Sequence, residues 1–124
     1  MLTNADITHE VIGVAIEVHR VLGPGLLESA YEECLAHEMS SRGILFERQN
    51  PVPVIYKDSK LECGYRLDFL VAGKVVVKLK SIEGLAPVHD AIPLTYMRLS
   101  GMSVGLLINF NVAALRQGIR RLVL

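Results

Sequence analysis

The stretch Asp68-Phe69-Leu70-Val71-Ala72-Gly73-Lys74-Val75-Val76-Val77-Lys78-Leu79-Lys80 decides the fold. It reads as two strands joined at Ala72-Gly73, the second alternating apolar residues with lysines. Successive residues of a strand point to opposite faces, and residues directly opposite on antiparallel strands share one. Lys78 and Lys80 therefore share a face. With a loop of Ala72-Gly73 alone, Asp68 would oppose Val77 and point away from both lysines. A three-residue loop running through Lys74 sets Asp68 opposite Lys78, and Gly73 supplies the positive φ such a loop commonly needs. The odd-length loop is the expectation, and with it a cluster of Asp68, Lys78 and Lys80.

Upstream, the pattern is helical. Asn4 or Thr3 caps a first helix whose Ile7, Val11, Val14, Ala15, Val18 and Leu22 fall at helical spacing, and Gly23-Pro24-Gly25 ends it. Pro24 has no N–H and no GxxxxGK[ST] pattern follows, so this turn separates helices rather than cradling phosphate. A second helix is expected from about residue 26 to 41, burying Leu27, Tyr31, Leu35 and either Cys34 or Met39, with Gly43 closing it. From Ile44 the period becomes two: ILFERQ, VPVIYK, LECGYRLDFLV and KVVVKLK read as antiparallel strands with short turns. A helix over about 91–100 follows, with Asp90 as its cap and Pro93 in its first turn. The run SVGLLINF lacks alternation, as expected of a strand covered on both faces, and a helical crossover makes it parallel to an earlier strand. A helical turn near 113–118 and a strand-like RRLVL complete the chain. The order α-α-β-β-β-β-α-β predicts an α/β (α+β) fold with a mixed sheet.

The 124 residues suffice for one domain, 1–124, and half of them are apolar. No apolar run is long enough to cross a bilayer, and the first residues lack the basic start and apolar stretch of a signal peptide, so a cytoplasmic, membrane-free protein is expected. Thirteen basic residues balance thirteen acidic ones, so contact with nucleic acid would have to come from a local patch. Neutrality favours self-association, and the high apolar content fits either a homodimer or a well-filled monomer core. Cys34 and Cys63 form no CxxC pair, and neither has a histidine at zinc spacing; both are expected as buried small hydrophobes.

Several separated motifs in order give the chain a family resemblance: GLLESAY (Gly25, Glu28, Tyr31), YRLDFLV followed by VVVKLK, HDAIPLTYMRLSG and GLLINFN. It resembles the GxxExxY proteins of the PD-(D/E)XK nuclease superfamily over nearly its whole length. The resemblance implies a restriction-endonuclease-like core and Mg²⁺-dependent cleavage of DNA or RNA. It implies Asp68 as a metal-binding aspartate, position 78 as the second acidic ligand, Lys80 as the motif lysine and Glu28 as an acidic residue presented by the second helix. Carboxylates are hard ligands suited to Mg²⁺, which delivers an activated water to phosphorus, while an ammonium offsets charge on the phosphoryl oxygens.

Position 78 departs from that pattern, because Lys78 stands where the second carboxylate belongs. Asp68 and Glu28 bring two negative charges, Lys78 and Lys80 two positive ones, so Lys78 competes electrostatically with Mg²⁺. Ile92 stands where similar sequences usually carry glutamine, and Pro93 where they carry another residue. Glu83 could replace the missing ligand only if the strand bent near Ser81 or Ile82. Plain structural readings exist beside these. Lysines alternating with valines describe a half-exposed strand, Glu28 suits a helix start, Tyr31 a core, His89 a helix approach, and Arg116, Arg120 and Arg121 a solvated patch. Three functions are weighed: a catalytically impaired nuclease-fold protein that binds nucleic acid or a protein, which is preferred; an active Mg²⁺-dependent nuclease using Asp68, Glu28 and Lys80; and an oligomeric interaction protein whose Glu28, Asp68 and lysines form a salt-bridge cluster.

Overall fold

The computed structural model describes residues 2–124. Helix α1 (Asn4–Leu22) starts at Thr3, whose hydroxyl accepts from the Asp6 N–H at 3.1 Å while the Asp6 carboxylate accepts from the Thr3 N–H at 2.9 Å. The hydrogen bond holds the Asp6 carboxyl below its ordinary pKa, the Thr3 backbone donor being the first cause. Helix α2 (Glu28–Ser41) begins two residues later than expected. Leu26 and Leu27 remain outside it, and Leu27 is 77% exposed rather than buried. Tyr31, Leu35 and Met39 are the buried face, and Cys34 is only partly covered. Helix α3 (Ala91–Ser100) carries Pro93 in its first turn, as expected. Asp90 does not cap it. That residue is itself helical, ending a short 3₁₀ turn over Pro87–Asp90, and its carboxylate instead receives Arg120 at 2.8 Å.

Seven strands form: β1 (Phe46–Pro51), β2 (Val54–Tyr56), β3 (Ser59–Leu61), β4 (Arg66–Val71), β5 (Val75–Lys80), β6 (Val104–Asn109) and β7 (Ile119–Val123). Five make a mixed sheet in the order β1-β4-β5-β6-β7, with β5 and β6 parallel and the other neighbours antiparallel. The pair β2-β3 forms a separate two-stranded ribbon. The expected single strand through LECGYRLDFLV is therefore divided, with residues 62–65 outside both strands and Gly64 at φ 83°. The loop between β4 and β5 has the expected odd length, since Val71 pairs with Val75 and Phe69 with Val77. Ala72 and Gly73 both take positive φ there, 53° and 66°.

Each sheet face has its own core. Val75, Val77 and Leu79 of β5 pack with α1 and α2 through Val11, Val14, Val18, Tyr31, Leu35 and Phe110. Val76 packs on the other face with Leu67, Leu70, Leu122 and Met97 of α3. Strand β6 is buried over Gly105–Asn109, as expected for a strand covered on both sides. Cys63 is exposed, contrary to expectation, because it lies in the segment that leaves the sheet. Among the described residues no helix is long and apolar enough to cross a membrane.

Candidate functional site

The GLLESAY segment is built around Tyr31. Its ring stacks on Phe110 at 4.4 Å between centroids, its hydroxyl donates to the Gly23 carbonyl at 2.6 Å, and it accepts from the Leu26 N–H at 3.2 Å. Gly25 has φ 98°, a conformation open to glycine and strained for other residues. The Ser81 hydroxyl, just past β5, donates to the Leu26 carbonyl at 2.5 Å. Gly25 and Tyr31 thus shape and hold a turn that docks the start of α2 on the end of β5. Glu28, the first residue of that helix, enters no hydrogen bond or ion pair among the described residues.

Asp68 sits where the β4-β5 ladder stops. Register places it opposite Lys78, one step beyond the last Phe69–Val77 pair. Its carboxylate takes the place of a ladder carbonyl: Oδ2 accepts from the Leu79 N–H at 2.6 Å. The Lys78 ammonium lies 3.5 Å from the same oxygen and donates to the Arg66 carbonyl at 3.3 Å. Asp68 is only 7% exposed, so the donor and the cation compensate a charge withdrawn from water.

On its other side Asp68 meets β1. Gln49, flanked by the Arg48–Phe69 and Asn50–Leu67 pairs, has φ 56° and drops out of the ladder. Its amide donates to Asp68 Oδ1 at 3.4 Å and to Glu32 Oε1 at 2.6 Å. Glu32 also accepts from Arg48 at 2.7 Å, and Arg48 reaches Glu33 at 2.6 Å. Hydrogen bonds to Glu33 and then Glu32 push the Arg48 pKa further up, so its cation is permanent. Glu32 lies one turn after Glu28 and so on the same face of α2, which was readable from the spacing. Nothing in the sequence marks Gln49, because a left-handed glutamine inside a strand has no residue signature.

The expected cluster forms in part. Asp68 and Lys78 meet, whereas Lys80 makes no ion pair within 4 Å among the described residues, and Glu28 is no member of a salt-bridge cluster. The pleat explains the absence of Glu28. Lys78 and Lys80 follow Val76 toward the α3 face, while Glu28 and Glu32 belong to the helix on the opposite face. The chain does bend after Lys80, where Asn109 binds the Ile82 N–H and carbonyl at 3.1 and 3.0 Å. Glu83 beyond the bend is exposed. His89 Nδ1 is occupied by the Ala86 N–H at 2.8 Å, and Ile92 packs in the α3-side core. Arg120 is neutralised by Asp90 at 2.8 Å.

A mixed five-stranded sheet with helices on both faces and an aspartate where the β4-β5 ladder ends, beside a lysine of β5, define a nuclease-like domain. The sequence model of the PD-(D/E)XK nuclease superfamily matches residues 5–122, and the chain belongs to that superfamily. The architecture is accordingly a restriction-endonuclease-like one. No curated protein and no solved structure gives a significant match.

The superfamily implies a divalent metal, which needs a set of hard oxygen donors. Among the described residues no group of three His, Cys, Asp or Glu side chains is gathered closely enough to hold an ion. Asp68 Oδ2 already faces a backbone donor and an ammonium, both of which repel a dication. As arranged, these residues do not fit Mg²⁺.

Proposed function

We propose that this protein is a catalytically impaired member of its superfamily that binds nucleic acid, or a protein, without cutting it. The observation that carries the reading is the Lys78 ammonium 3.5 Å from Asp68 Oδ2, with the Leu79 N–H on the same oxygen at 2.6 Å. The ammonium stands where a metal would bring its charge, and an ammonium cannot activate a water by ligation. With Lys78 held by Asp68, Lys80 on the same face, which makes no ion pair among the described residues, offers a local cation for a phosphate backbone on a chain of zero net charge.

The test is cleavage of single- and double-stranded DNA and RNA in Mg²⁺ and in Mn²⁺, comparing the natural protein, Lys78→Glu and Lys78→Glu/Asp68→Ala. The natural protein is expected to be inert and Lys78→Glu to cut, with Asp68→Ala abolishing the gain. Cleavage by the natural protein that Asp68→Ala removes would overturn the impairment. Binding is read separately by fluorescence anisotropy, where Lys80→Ala should weaken affinity and shallow its salt dependence. Equal affinity of the two proteins would remove nucleic acid from the reading.

One observation favours an active enzyme as the second reading. The Glu28 and Lys80 side chains engage no partner among the described residues, so each remains free to meet a substrate. Activity in the natural protein that is lost in both Glu28→Gln and Asp68→Asn would establish it.

A further inference from the structure

Strands β2 and β3 project from the sheet as an arm. Val52 N–H bonds the Tyr65 carbonyl at 2.9 Å, so the arm continues the β1-β4 hairpin, and every residue from Val54 to Arg66 is exposed. The pairs Val54–Leu61, Ile55–Lys60 and Tyr56–Ser59 enclose a two-residue turn in which Lys57 and Asp58 have φ 47° and 68°. Such a primed turn makes Tyr56–Ser59 a hydrogen-bonded pair, and alternation makes Ile55–Lys60 a non-bonded one. The backbone N–H and C=O groups of Ile55 on one edge, and of Lys60 on the other, consequently point out of the ribbon, and Glu62 follows directly after β3.

The two edges differ. The edge carrying Ile55 is guarded by Pro51 and Pro53, which lack N–H groups. The edge carrying β3 has no proline from Ser59 to Arg66. We propose that this edge pairs antiparallel with the same edge of a second copy, about a two-fold axis through Leu61. That register sets Lys60 opposite Glu62 of the second copy, and Glu62 opposite its Lys60. Lys60 points outward, and pairing that extends β3 by one residue turns Glu62 outward as well, so each pair exchanges two backbone hydrogen bonds and places opposite charges side by side. A slip to a two-fold at Lys60 would oppose two lysines. On the other face Leu61 meets its own copy, extending the row of Val54 and Leu61, now 36% and 45% exposed, across the dimer. Arg66 already donates to Glu62 at 2.9 Å, and a carboxylate has acceptor capacity for both cations.

The occupant follows from charge and register together. Chains without the Lys60/Glu62 complement could use the edge but not this pairing, whereas a second copy satisfies both and closes the assembly.

Sedimentation velocity over a rising concentration series tests the proposal. The natural protein is expected to shift from one chain toward two. Lys60→Glu, which opposes two carboxylates twice, should remain monomeric, and Lys60→Glu/Glu62→Lys should recover the dimer. Lys60→Pro deletes an outward N–H that the ribbon itself does not use and should also be monomeric; should it unfold, the charge pair decides. In a Cys34→Ser/Cys63→Ser background, Leu61→Cys should oxidise to a covalent dimer, because Cα atoms in such a pair lie about 4.5 Å apart. Lys60→Cys, displaced from its own copy, should not. A monomer at every concentration, or a dimer that persists in Lys60→Glu, overturns the proposal.

Discussion

At the scale of single residues, the motif letters divide by task. Tyr31 and Gly25 are explained by construction, the tyrosine through its stack on Phe110 and two hydrogen bonds to the turn before α2. Tyr31→Phe keeps the stack and should cost about 1–3 kcal/mol in denaturant unfolding, the range for a buried polar group left unsatisfied. No loss would mean the turn is held otherwise. Asp68 has a structural task beside any chemical one. Asp68→Ala strips the Leu79 N–H of its acceptor and Lys78 of its counter-charge, and should cost about 3 kcal/mol, the low end for breaking a buried pair, since Lys78 keeps the Arg66 carbonyl. Asp68→Asn retains an acceptor and should cost clearly less; equal losses would show that the hydrogen bond contributes nothing. Lys78→Glu should raise Mn²⁺ affinity in calorimetry, and unchanged affinity would contradict its placement beside Asp68. Residue identity and parity made the Asp68–Lys78 pairing readable in advance. Gln49 and the bridge it makes to Glu32 were not, since they depend on one backbone dihedral.

Elements were legible where periodicity was long and punctuated. The spacing of Ile7 through Leu22 marks α1, and the β4-β5 loop length follows from requiring Asp68 and Lys78 on one face. The readings failed where two local rules competed. Asp90 precedes an apolar helix and has the composition of a cap, but Pro87 starts a 3₁₀ turn first and Arg120 takes the carboxylate. The run LECGYRLDFLV alternates like one strand, yet Gly64 breaks it and frees the arm. Leu27 looks like a core residue by spacing and stands outside the helix that would have buried it. The start of α1 offers a test on acidity. The lowered Asp6 pKa means that its contribution is present above the ordinary aspartate value of 3.8 and is lost as pH falls through the depressed one. Asp6→Asn should flatten that part of the acid-unfolding profile. An unchanged profile would show that the Thr3 cap does not couple to protonation.

Taken as a whole, the molecule is two cores of unequal size separated by one sheet. The face under α1 and α2 collects most of the buried apolar side chains, including the Tyr31–Phe110 stack. The face under α3 rests on Val52, Leu67, Leu70, Val76, Met97 and Leu122. Composition announced an apolar interior but could not divide it, because β6, and β5 over Val75–Val77, are buried on both sides and carry no alternating signal there. Helix α3 is buried only through Pro93 and Met97, and a Cβ on Gly105 would come within 2.9 Å of the Met97 sulfur. Met97 thus fills the space that the missing Gly105 side chain leaves, and on so small a core it is the anchor of that layer. Met97→Ala should cost about 2–5 kcal/mol, the range for emptying a buried site of this size. Regions with few buried contacts open below the global free energy, so the α3 amides should exchange hydrogen sooner than those of Val75–Leu79 even in the natural protein. Met97→Ala should widen that gap, lowering protection in α3 more than in β5. Protection falling equally across both would mean that the two faces unfold as one unit and that the smaller core has no independent opening.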